Sequence, residues 1–282
     1  MRKLSLWLLS FLFGLSASVS LLLLLAYLLF GQPQMVKNSL VQSHMYNEVV
    51  YFVQGQLNQL TKQQPQMKAL TDPIIHELKP SYLQNKIEKF LNDTYSFAQG
   101  GSNTLPVITL SDFKKQLIAK NPSLARLPAE ISDIFDQRLG PSEEQGQQLR
   151  RISLITQQAL YISTALSLVF LILLFLLGQT LAQRFKILGK EILKIALPGA
   201  ISTLIAWLIL WFVPNPHINL PENVAFLQKP IIDFSILLTK ELLIYSALLY
   251  GGLTILGAIL ILISKKTNPP TAANTPVAGL IS

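Results

Sequence analysis

Apolar residues gather along the chain in four long runs. Leu4–Phe30 carries no charge over its whole length, and the uncharged stretch Ile152–Gln183 is densest in apolar residues at Ala159–Leu177. The third run covers Ile195–Val213 and the fourth Leu242–Ser264. A helix needs about 20 mostly apolar residues to cross the ~30 Å hydrocarbon core of a bilayer, and all four runs are of that order. The pattern therefore predicts an all-α integral membrane protein with four transmembrane helices. The first run follows Met1-Arg2-Lys3 and contains Ser16-Ala17-Ser18, a small-residue sequence of the kind a signal peptidase cuts. Its apolar character continues through Leu21–Leu25 to Phe30, well beyond the roughly 7–15 residues of a secretory signal core. It reads as an uncleaved signal anchor.

Residues 31–151 are too many for a simple connection between spans. Val41, Met45, Val49, Val53, Leu57 and Leu60 recur every three or four positions, which predicts one face of a helix. A Gln-rich patch, Gln54–Gln66, is interrupted at Pro65, and Thr71-Asp72-Pro73 reads as a new start with an N-cap and a first-turn proline. After Pro80, Ser81-x-x-Gln84 has the form of a capping box, with Leu83, Ile87, Phe90, Leu91, Thr94 and Ala98 behind it and Gly100-Gly101 as the stop. Pro106–Leu110 is the one strand-like run. Ser111 reads as the cap of a short helix bearing Phe113, Leu117 and Ile118, and Ile131, Ile134, Phe135 and Leu139 mark another before Gly140-Pro141. Ser142-x-x-Gln145 is a second capping box, from which helical character runs on into the second span. A helical extracytoplasmic domain on extensions of spans one and two is the expectation.

Charge then sets the orientation. The formal net charge is +8, from 23 Lys+Arg against 15 Asp+Glu. Three short segments hold +7 of it: the tail Met1–Lys3, the connection Arg184–Lys194, and Lys265-Lys266 at the start of the terminal segment Lys265–Ser282. Residues 31–151 carry only +2, and the second connection, Pro214–Glu241, carries −1. Cytoplasmic flanks are the ones enriched in Lys and Arg, so both termini and the basic loop 184–194 are expected inside, with 31–151 and 214–241 outside. The Pro/Ala/Thr-rich tail Asn268–Ser282 reads as disordered. Trp7, Tyr27, Tyr161, Trp207, Trp211 and Tyr245 lie toward span ends, where amphipathic rings favour the headgroup level. With its charge so placed, the basic balance is a topology signal, and no nucleic-acid partner is expected.

Candidate chemistry is sparse. Only 13% of residues are charged, and the absence of cysteine excludes disulfides, thiolate metal sites and cysteine nucleophiles. His44, His76 and His217 lack ligand spacing, and His76-Glu77 continues Leu78-Lys79-Pro80 instead of supplying the second histidine of a zinc-protease helix. No nucleophile elbow, Walker loop or dinucleotide fingerprint is present. No catalytic residue, cofactor or metal is expected, and the chain reads as non-enzymatic. Two features point instead to contacts. Gly14-x-x-x-Ser18 and Ala247-x-x-x-Gly251 place small residues where membrane helices pack closely, either within the bundle or against another chain. Lys186, Lys190 and Lys194, four residues apart, form one charged helical face suited to lipid headgroups or a partner.

The expected role is a cell-membrane scaffold or interaction protein that binds another envelope component through its outer domain; a membrane or envelope protein partner, or a homo-oligomer, is expected. The alternative is a transmembrane subunit of a transporter or mechanotransmission complex, with Arg184–Lys194 docking a cytoplasmic ATPase. Because the chain has no native thiol, orientation is directly testable. A single cysteine near Lys190 should stay unlabelled by an impermeant maleimide on intact cells and react after permeabilisation; labelling from outside would invert the topology.

Overall fold

The computed structural model describes residues 2–126, 135, 136, 138, 140–212 and 222–267. The expected helix around Ile131, Ile134 and Leu139, the prolines at 214, 216 and 221, His217 and the tail from Asn268 lie outside them. The described residues form helices and short 3-10 turns, with no strand among them. Pro106–Leu110 is irregular apart from an isolated bridge at Ile108. Helix α1 covers Arg2–Gly31, α2 Pro33–Gln42, α3 Met45–Gln63, α4 Lys68–Glu77, α5 Pro80–Ala98 and α6 Ser111–Lys120. After them come α7 (Glu143–Leu176), α8 (Leu181–Phe212) and α9 (Gln228–Lys266). Four of these, α1 and α7 to α9, are long and apolar enough to cross a membrane. At about 1.5 Å per residue the 34 residues of α7 extend ~51 Å.

The chain divides into two compact units. The first comprises residues 1–24, 159–208 and 243–282, and the second 25–158 and 209–242. In the first unit, Phe13 and Ala17 of α1 are buried with Leu174 of α7, against Phe170, Leu171, Ile187, Leu188 and Ile195. Hydroxyls supplement this packing: Ser167 donates to Ser16 at 3.1 Å, and Ser20 and Thr164 share a bond of 2.6 Å. Helices α8 and α9 meet where neither has a side chain. A Cβ placed on Gly189 would come within 2.6 Å of the Gly257 carbonyl oxygen, and one on Gly257 within 3.0 Å of that of Gly189. Further along, the Tyr250 ring lies on Gly199, and buried Thr203 and Ser246 share a hydroxyl bond of 2.7 Å.

The second unit is a helical cluster with its own core of Val50, Ile74, Leu78, Phe113, Leu117, Leu124 and Phe135. Its helix ends are stitched by side chains. Gln54 donates to the Ile75 and Leu78 carbonyls at 3.0 and 3.1 Å, satisfying oxygens freed at the end of α4. Tyr95 of α5 and Gln99 just after it do the same for Leu29 and Gly31 at the end of α1. The 3-10 turn Glu222–Leu227 belongs to this unit too: Phe226 stacks on Phe52 with ring centroids 3.7 Å apart.

Several local expectations change. The helix expected through Val41–Leu60 breaks at His44, whose φ of 55° is left-handed, and the buried stripe of α3 starts with Tyr46 and Val50. Helix α4 starts at Lys68, so Pro73 lies inside it and Thr71 is not a cap. Instead the Thr71 hydroxyl is fully buried and shares a 2.6 Å bond with Thr61, clasping α3 to α4. Ser81 does not cap α5, which begins at Pro80, and Gln84 turns to Glu88; Ser111 is the first residue of α6 and meets Thr109. The Ser142–Gln145 box does form, with both reciprocal bonds present at 3.0 and 3.2 Å. The largest change concerns the segment expected as a loop at 184–194, which is helical throughout within α8. The connection between α7 and α8 is instead Leu177–Thr180. Residues 228–241, expected in the second outer connection, form the first turns of α9.

The glycine contact yields a discriminating test. Gly189→Leu must push α8 away from the α9 backbone and should cost about 1–3 kcal/mol. A Cβ on Gly14 or Gly251 meets no atom within 4 Å, so Gly14→Ala and Gly251→Ala should not lower thermal stability in detergent. Equal melting shifts for Gly189→Leu and Gly14→Ala would contradict the packing.

Candidate functional site

Helix α8 turns its small and apolar residues inward, burying Ala182, Gly189, Ile192, Ala196 and Thr203. That rotation leaves Lys186, Lys190 and Lys194 exposed along one side, about 6 Å apart per step of four residues. Lys186 and Lys190 make no ion pair among the described residues. Arg184 is already engaged: it donates to the Gly178 carbonyl at 2.9 Å and lies over the Phe175 ring at 5.2 Å.

Glu191, which the sequence does not single out, is the most deeply placed ionisable group on this helix, with 8% of its surface exposed. Two side chains close around it through three hydrogen bonds. Lys194 Nζ donates to Glu191 Oε1 at 2.6 Å and to Ser10 Oγ at 3.1 Å, while Ser10 Oγ donates to Glu191 Oε2. A buried carboxylate without such partners would carry a desolvation penalty of several kcal/mol. The motif was partly visible beforehand: Ser10, Gly14 and Ser18 follow one another at intervals of four along α1, and Glu191, Lys194, Ile195 and Pro198 share a face of α8.

Those two faces bound an open cleft of about 520 Å³ within the first unit. Trp7, Phe11, Leu15, Ile195 and Pro198 supply its apolar lining, Gly14 and Ser18 lie along α1, and the Ser10–Glu191–Lys194 cluster marks its polar end. A second groove of about 370 Å³ involves Lys190, Leu193, Lys194, Leu197 and Pro198. So Gly14, Ser18, Lys190 and Lys194, read from the sequence as two separate features, share one neighbourhood. Lys186 lines neither space. Ala247 is exposed and Gly251 half-buried with open space before its Cα, so that pair faces away from the chain's own helices.

The second unit holds a different kind of site. A cavity of about 240 Å³ is lined by Glu77, Lys79, Ser81, Tyr82, Asn85 and Gln116, with Phe113 and Leu117 from the core. The Tyr82 ring packs on Phe113 at 4.9 Å, and among the described residues its hydroxyl is buried without a hydrogen-bond partner. Burial raises the Tyr82 phenol above its usual range. Deeper in the unit, burial and then the Glu88 carboxylate push the Tyr46 phenol up to about 12, and its hydroxyl too has no partner among the described residues. Ion pairs flank the cavity: Lys120 reaches Glu77 at 2.6 Å and Lys86 reaches Asp112 at 2.6 Å. His44 and His76 lie in this unit without clustered acids, and no group of three residues suited to a metal occurs among the described residues.

Hydrogen bonds from Lys120 and Lys86, respectively, are the leading cause that holds the Glu77 and Asp112 carboxyls below their ordinary 4.5 and 3.8. Depressed carboxyl values stabilise the fold fully above the unfolded-state values and lose that contribution as pH falls through the folded ones. Melting of the full chain in detergent should therefore decline as pH drops below about 4, and Glu77→Gln with Asp112→Asn should flatten that decline. An unchanged slope in the double variant would place the acid sensitivity elsewhere.

No family model matches the sequence, and neither a curated protein nor a solved structure is similar to it.

Proposed function

We propose that the protein is a non-enzymatic cell-membrane scaffold, anchored by four spans with both termini cytoplasmic, whose helical domain outside the membrane binds another envelope protein. The observation that carries this reading is the second unit itself. It has a separate hydrophobic core, and its cavity combines a polar rim with an aromatic wall. At about 240 Å³ that cavity is smaller than the roughly 300–1,000 Å³ of small-molecule sites, so it suits one or two anchoring side chains of a protein partner. Buried aromatic pockets with polar rims are where interfaces concentrate their binding energy. The uncleaved first span supports anchoring, and the lysine-rich flanks support the orientation.

The alternative, a subunit docking a cytoplasmic ATPase through Arg184–Lys194, has less to work with. Arg184 is engaged within the chain and Lys194 is already paired with Glu191, so of the four cations only Lys186 and Lys190 have no such contact among the described residues.

A photo-crosslinking residue at Gln116, at the cavity, tests the leading reading in intact cells. A single envelope protein should be captured, and Asn85→Arg should abolish the capture while leaving helix content unchanged. Capture that survives Asn85→Arg, or the recovery of lipid alone, would remove the basis for this interface.

A further inference from the structure

We infer that the cleft between α1 and α8 is a binding site for an anionic phospholipid, with an acyl chain along Gly14 and Ser18 and the phosphate at Lys194 and Lys190. The inference rests on the membrane reading above in placing the cleft within lipid and its basic end on the cytoplasmic side. An apolar cleft open to the bilayer fills with lipid, so the question is which class its polar end selects. Charge complementarity decides this. Glu191 is matched by Lys194 and Ser10, and the Lys194 side chain remains 62% exposed beyond that contact. Lys190, one turn away, has no acidic partner among the described residues and is exposed at the adjoining groove. The balance at the polar end is therefore one uncompensated cation, with Arg2 and Lys3 at the same end of α1 in sequence. Basic pockets between membrane helices on the cytoplasmic side are suited to anionic headgroups.

Geometry within the cleft supports a chain-shaped occupant. The small residues of α1 leave open space, since a Cβ on Gly14 would meet nothing within 4 Å. Trp7 and Phe11 stack with ring centroids 6.1 Å apart at one side, giving the cleft an aromatic wall near the chain's amino end. Indole at this level favours the headgroup boundary. The closed cluster of Ser10, Glu191 and Lys194 fixes where the ammonium sits, so the phosphate meets a positioned cation in place of a mobile one.

The test uses Trp7 as the reporter. In a full-length protein carrying Trp207→Phe and Trp211→Phe, Trp7 is the only indole. It is reconstituted in phosphatidylcholine vesicles containing either brominated phosphatidylglycerol or brominated phosphatidylcholine. Preferential quenching by the brominated phosphatidylglycerol is expected, about fivefold for each cation engaged. Lys190→Gln should remove about that factor. Gly14→Leu fills the cleft without altering charge and should abolish the preference, whereas Lys186→Gln should leave it intact. Equal quenching by the two lipids would overturn the site. So would a preference that survives Gly14→Leu, or one that Lys186→Gln and Lys190→Gln weaken alike, since either would mean diffuse surface charge. A disulfide-linked or crosslinked dimer through Gly14→Cys, with no lipid preference, would assign the cleft to a second copy. None of these outcomes bears on partner capture at Gln116, so the two readings fail separately.

Discussion

The first unit depends on the approach of two glycines. Lipid tails are as apolar as leucine, so apolar area alone does not hold membrane helices together; close packing and interhelical hydrogen bonds do. Gly189 and Gly257 remove the side chains that would keep α8 and α9 apart, and each carbonyl lies over the other helix's bare Cα. Once that contact is made, the rotation of α8 is set. Gly199 comes beneath the Tyr250 ring, and Thr203 comes within reach of Ser246. The same rotation sends Lys186, Lys190 and Lys194 outward and brings Glu191 toward Ser10 of α1. The cleft is thus a consequence of helix packing, lined by the faces of α1 and α8 that meet at the Glu191 cluster.

The two units solve the problem of polar groups differently. In the first, hydroxyls bond back to their own helix or pair across helices, as Ser163 with Leu160, Thr254 with Tyr250 and Ser20 with Thr164 do. Such bonds satisfy hydroxyls without water, which hydrocarbon cannot provide. The second unit uses amides and ammonium groups that reach farther: Gln54 over the end of α4, Gln99 over the end of α1, Lys86 across to Asp112. Long side chains suit a unit built of short helices, because each short helix exposes eight unsatisfied backbone groups at its ends.

The sequence made the long helices legible because twenty apolar residues have few other fates. It located their boundaries less well, and the reasons are particular. The cluster from Arg184 to Lys194 looked like a loop because charge marks a membrane boundary, yet charge does not interrupt a helix. The true break had its own signal in Thr180-x-x-Gln183: Thr180 accepts from the Gln183 amide at 3.2 Å, and Gln183 accepts from the Gln179 amide at 3.2 Å. Gly178 lets Arg184 fold over the turn, where a Cβ would lie 2.4 Å from the arginine side chain. Ser142-x-x-Gln145 formed because helix α7 starts beside it, whereas Ser81-x-x-Gln84 lost to Pro80, which already occupies the first turn. The small-residue motifs show the same ambiguity. Gly14 and Gly251 match the packing pattern, but Gly189 and Gly257 make the contact, and spacing alone does not say which face meets a neighbour.

The uneven use of glycine leads to a last point about α1. Its buried face is Phe13 and Ala17, its bonded face carries Ser16 and Ser20, and Ser10 is tied to Glu191, so close packing within the chain leaves Gly14 and Ser18 over. A helix that needed only to anchor the chain would gain most from large apolar residues toward lipid, and α1 has them at Leu4, Leu8, Leu15 and Leu22. A groove of small residues beside those leucines loses dispersion contacts unless something enters it. Polar placement narrows what that is. Ser10 and Lys194 are spent on Glu191, while the exposed part of Lys194 and all of Lys190 face outward at the same end. A second helix would have to bury those cations against its own backbone, at the desolvation cost that uncompensated charges carry. A chain-bearing anion leaves them hydrated on one side and paired on the other.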